Sequence, residues 1–158
     1  MQTPEPYPTF RSEPPPRRVA RRSPALAEWA ERLAWVSGLV LAVSAFTDWY
    51  TGTLPNGITL SVTGWHTGAL GKLVFFVGLV TLILEALRES GIELPPAIPE
   101  RLVLVALGAL ATIFVLIRLL SVPDEYFPST SRGVGVFIAL LAALGLLATG
   151  LLRTAEEL

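Results

Sequence analysis

The chain has 158 residues, of which 52% are hydrophobic and only 16% charged, with a net charge of −1, a mean hydropathy of +0.58 and no cysteine. Soluble domains carry about 25% charged residues, so the composition argues for a membrane protein. Without cysteine there are no disulfides, thiol nucleophiles, thiolate metal sites or iron–sulfur clusters, and a single histidine argues against a histidine metal site or a Ser-His-Asp triad.

Ten of the 25 charged residues fall within residues 1–32. Residues 1–24 also hold seven of the thirteen prolines and lack apolar periodicity. Such a segment buries too little surface to offset its ordering entropy, so it is read as a disordered tail. Its basic run, Arg11 to Arg22, fits a topology signal with attraction to anionic lipid better than a partner-docking motif, because no aromatic anchors interrupt it. Nucleic-acid binding is not expected of so short a tethered run. Ser23 and Pro24 suit the cap and first position of a helix.

The remaining residues, 25–158, read as an all-α membrane domain, a bundle of four transmembrane helices. A spanning helix needs about 20 mostly apolar residues, and four segments meet this, over residues 33–50, 70–87, 102–122 and 134–152. The first is read as a retained anchor rather than a cleaved signal peptide. Between the first two spans, the outer loop 51–69 contains Asn56-Gly57 flanked by β-branched residues, the signature of a small extracytoplasmic β-hairpin. Trp49, Tyr50, Trp65 and His66 form its candidate interface, with the aromatics anchoring the hairpin base at the headgroup level. In the middle loop, Gly91 and the prolines at 95, 96 and 99 end the second helix.

Lys and Arg, rather than net charge, set orientation. Nine of the twelve fall in the tail, the middle loop and the C-terminal end, two fall on the other side, and Arg118 lies inside a span. Both termini are therefore expected in the cytoplasm, with the chain multi-pass in the plasma membrane.

Arg118 is the outstanding intramembrane charge, near the outer end of the third span. It can snorkel to headgroups, pair with Asp48, Asp124 or Glu125, or contribute to an anionic ligand site. Glu85, near the inner end of the second span, is expected to pair with Arg88 or Arg101. Ala34, Gly38 and Ala42 form a small-residue face at every fourth position of the first span, suited to close helix packing. The chain contains no nucleotide-binding glycine loop, zinc-protease motif or nucleophile elbow, and no cofactor or metal is expected.

Ser44-Ala45-Phe46 with Trp49-Tyr50, Gly64-Trp65, Leu94-Pro95-Pro96-Ala97-Ile98-Pro99, Leu116 to Leu120 with Pro123, and Arg132 to Phe137 resemble a group of small four-span membrane proteins from actinobacteria, the high-GC Gram-positive bacteria. Members often read Pro-Trp-Tyr where this chain has Asp48-Trp49-Tyr50. The resemblance implies topology and host type but brings no activity. The expectation is a non-enzymatic accessory or scaffold protein that binds membrane lipids and other membrane proteins or itself as a homo-oligomer. The alternative is a small transporter, channel subunit or sensor with a polar site around Arg118 and Asp48.

Overall fold

A computed structural model describes residues 24–92, 95, 99–121 and 130–155. The segment 1–24, expected to be a disordered tail, lies outside the described residues except for Pro24, as do Asp124 and Glu125. Four long helices dominate: α1 (Pro24–Ser44), α2 (Ala69–Glu89), α3 (Glu100–Leu120) and α4 (Val134–Ala155). Three short strands join them: β1 (Asp48–Thr53), β2 (Thr59–Thr63) and β3 (Thr130–Arg132).

Helices α2, α3 and α4 are each long and apolar enough to cross a membrane. At 21 or 22 residues and 1.5 Å per residue they match a hydrocarbon core of about 30 Å. At most 44% of the most apolar stretch of any of them is buried inside the protein. Outward-facing Phe76, Ile83, Ile113, Phe137 and Leu141 are exposed. Soluble monomers rarely expose apolar surface on this scale, so these faces identify a membrane protein.

The first helix departs from expectation. It starts at Pro24 and ends at Ser44, well short of Tyr50. Its early turns carry Glu28, Glu31 and Arg32, and it is not among the helices that are apolar enough over their length to cross a membrane. The end is fixed locally. The Ser44 carbonyl accepts from the Thr47 backbone N–H (3.1 Å), the Thr47 hydroxyl (2.7 Å) and the Trp49 indole N–H (2.8 Å). These donors satisfy a carbonyl that the helix can no longer pair, and the chain leaves as β1.

The expected hairpin is present and gains a third strand. β1 pairs antiparallel with β2 on one side and with β3 on the other, giving the order β2-β1-β3. The Asn56-Gly57 turn works through Gly57 at φ +83° and the Asn56 side-chain oxygen, which accepts from the Ile58 N–H at 3.2 Å. β3 places Thr130, Ser131 and Arg132 against Gly52, Thr51 and Tyr50.

The helices share one core, to which Leu41 of α1, Val74 of α2, Leu104 and Val115 of α3, and Val136 and Leu146 of α4 contribute. α4 packs against α1 and α3, and α1 also packs against α2. Ala34, Gly38 and Ala42 are all buried, and Gly38 and Ala42 of this face turn to α2. A Cβ added at Gly78 would lie 2.6 Å from the Ala42 nitrogen and 2.8 Å from the Gly38 oxygen. The small-residue face is therefore used within the chain, where it lets two backbones approach closely. On the other side, a Cβ at Gly108 would lie 2.5 Å from the Leu147 nitrogen, so α3 and α4 meet just as tightly.

Candidate functional site

Arg118 occupies the last turn of α3, where helix carbonyls run out of intrahelical donors. Side chains from the sheet replace those donors. The Tyr50 hydroxyl donates to the Arg118 carbonyl at 2.5 Å, and Arg132 Nε donates to the Leu119 carbonyl at 2.7 Å. The Ser121 N–H closes the Ile117 carbonyl at 2.8 Å. β1 and β3 thus cap α3 jointly.

The Arg118 guanidinium turns the other way. Its Nη2 donates to the Thr67 carbonyl, in the turn that leads into α2. That turn is pinned by the Thr67 hydroxyl, which donates to the Gly64 carbonyl at 2.6 Å. Gly68 follows at φ +103°, a left-handed conformation that favours glycine, and a Cβ there would sit 2.9 Å from Arg118 Nη2. Arg118 Nε is buried without a hydrogen-bond partner. Among the described residues no carboxylate lies within ion-pair distance of Arg118. Asp48 is exposed at the start of β1, opposite Thr63, rather than beside the guanidinium.

The candidate outer-loop interface divides in two. Trp49 and Tyr50 are 0% exposed and belong to the core, which corrects their reading as headgroup anchors. Burial follows from geometry: β1 folds over the helix ends, so the Trp49 indole caps α1 and the Tyr50 phenol caps α3. Trp65 is half-buried and His66 exposed. Trp65 stacks on Phe46 at 5.5 Å and meets Phe75 edge-on at 5.4 Å, with Lys72 Nζ 5.7 Å from its ring. This Phe46–Trp65–Phe75–Lys72 patch combines apolar bulk with a cation, as membrane interfaces favour. Its sequence signal was the recurrence of aromatics at the outer ends of the first two apolar segments. His66 Nδ1 and the Thr63 hydroxyl are 2.8 Å apart. Among the described residues no group of three or more His, Cys, Asp or Glu could hold a metal ion.

A second polar centre lies at the opposite end. Glu85 of α2 is fully buried. Its partner is Arg153 of α4, not the expected Arg88 or Arg101. Arg153 Nη2 donates to Glu85 Oε2 at 3.0 Å, and Nη1 stands 2.9 Å from Oε1. Arg153 also reaches Glu100 of α3 at 3.2 Å, and Arg88 approaches the same carboxylate at 3.4 Å. Three helices are thus tied by one charged cluster. Nearby, Trp35 Nε1 donates to Glu89 at 2.7 Å and links α1 to α2.

Arg118→Ala removes the guanidinium and leaves the Thr67 carbonyl unpaired, at an expected cost of about 1–3 kcal/mol. Arg118→Lys should recover only part of this, because a flexible ammonium does not reproduce the fixed guanidinium fork. Thermal unfolding of both variants in detergent measures the difference.

Compared with models of known protein families and with curated proteins, the chain matches none.

Proposed function

We propose that this chain is a multi-pass plasma-membrane accessory or scaffold protein, non-enzymatic, that binds other membrane proteins, a second copy of itself or lipids. α1 completes a four-span layout with both termini in the cytoplasm, and its Glu28–Arg32 pair lies at the inner headgroup level.

The observation that carries this reading is where the polar groups of the helices are used. The Ser44, Thr81, Thr112 and Thr149 hydroxyls each donate to a carbonyl of their own helix. Glu85 is matched by Arg153, and Arg118 closes the turn before α2. The hydroxyls are satisfied within their own helices and the charged groups join one element to another, while the large apolar faces and the sheet remain outward. The same use of Arg118, with Asp48 standing apart from it, weighs against the transporter or sensor alternative.

Purification of the tagged full-length chain in mild detergent, with cross-linking beforehand in intact membranes, tests the proposal. A stoichiometric membrane-protein partner or a homo-oligomer is the expected result. A clean monomer with neither partner nor tightly held lipid overturns it.

A further inference from the structure

The two outer edges of the sheet differ in kind. An exposed edge strand offers unpaired backbone N–H and C=O groups to any other strand, and proteins normally blunt it with charge, proline, a bulge or shortness. β3 is blunted. It is three residues long, ends in Arg132 and runs almost directly into α4. β2 is longer and unblunted by charge or proline, and the bulge in its ladder, at Asp48–Tyr50, falls on β1. Thr59-Leu60-Ser61-Val62-Thr63 contains no charge and no proline, and its far side has no partner strand among the described residues. Leu60 is 45% exposed, and Ile58 just before it is 54% exposed.

The ladder shows which groups are on offer. The Leu54 N–H donates to the Ile58 carbonyl at 2.9 Å, and Leu60 and Val62 pair with Gly52 and Tyr50 further along. Antiparallel alternation then directs the backbone groups of Thr59 and Ser61 away from β1.

We propose that β2 is a strand-addition surface and that its occupant is β2 of a second copy, which joins the two outer sheets edge to edge. This rests on the membrane-scaffold reading and supplies the site for its self-association. An uncharged edge meets no charge of its own sign in a copy. Two copies inserted the same way in one membrane hold their β2 strands at the same height, so the edges meet without either copy leaving the bilayer. A two-fold axis sets Ser61, the middle residue of the strand, opposite Ser61 of the partner subunit. Leu60 and Ile58 then bring exposed apolar surface to the seam.

The absence of cysteine makes the test direct. Paired strands lie about 4.8 Å apart, within the Cα separation that a disulfide spans. Ser61→Cys in the full chain is oxidised mildly in native membranes and run on non-reducing gels, with Asn56→Cys at the hairpin tip as the collision control. A disulfide-linked dimer is expected for Ser61→Cys, in several-fold excess over Asn56→Cys. Adding Leu60→Lys, which brings like charges to the seam, is expected to reduce it several-fold. Monodisperse elution of each variant verifies folding. Equal cross-linking at the two positions, or no effect of Leu60→Lys, overturns the proposal. Differently tagged wild-type copies tested for co-purification separate the two failures. If they co-purify while Ser61→Cys does not cross-link, only the β2 assignment falls. If the chain binds neither itself nor any other membrane protein or lipid, the scaffold reading falls with it.

Discussion

Arg153→Ala is expected to destabilise the protein by about 3–5 kcal/mol, the cost of leaving a buried charge without its partner. Glu85 is fully buried on α2, and the Arg153 side chain is only 10% exposed. Removing the guanidinium leaves a carboxylate among apolar helices and also detaches Glu100 from α4. The pair need not itself be a large net source of stability, because desolvating two charges offsets most of their attraction. The double variant Glu85→Leu with Arg153→Leu is therefore expected to regain much of the loss. Thermal unfolding in one detergent of the wild type, Glu85→Leu, Arg153→Leu and the double variant measures the coupling. A loss for Arg153→Ala no larger than that of an exposed pair such as Glu28–Arg32 would contradict the burial argument.

Trp49→Ala is expected to cost about 3–5 kcal/mol, as for other buried tryptophans. The indole fills space against Gly64, where an added Cβ would lie 2.5 Å from the ring, and it caps α1 through the Ser44 carbonyl. Truncation loses both packing and cap. Trp65→Ala, at a half-buried position on the outer patch, should cost clearly less. Fluorescence gives an independent check: in single-tryptophan variants, Trp49 should resist aqueous quenchers, whereas Trp29, 68% exposed, should yield to them. Similar quenching of the two would place Trp49 at the surface.

These two residues also mark what the sequence made legible. Hydropathy located α2, α3 and α4 to within a few residues, because uninterrupted apolar runs have few other uses. It carried the first span too far, since Trp49 and Tyr50 read alike as the end of a span, as interface anchors or as core. The turn at Thr47 that separates these possibilities has little hydropathy signal. Asn56-Gly57 marked the hairpin because the turn itself demands those residues. β3 escaped notice because three residues, Thr130-Ser131-Arg132, carry no periodicity and their partner strand lies far away in sequence. The same distance hid the Glu85–Arg153 pair, since helix spacing suggests Arg88 first. The small face of Ala34, Gly38 and Ala42 was visible, but only the structure shows Gly78 pressed against it.

The sheet and the inner cluster share one more property, which concerns the order in which the protein is made. Thr51 and Ser131, whose hydroxyls meet at 2.9 Å, are 80 residues apart, and Glu85 and Arg153 are 68 apart. Both closures depend on α4, since β3 leads into it and Arg153 lies near its C-terminal end. Until α4 is in place, the chain through α3 holds a two-stranded hairpin at one end of the helices and an unmatched Glu85 carboxylate at the other. Arrival of α4 completes both ends together, so the sheet and the charged cluster close in one step rather than in sequence.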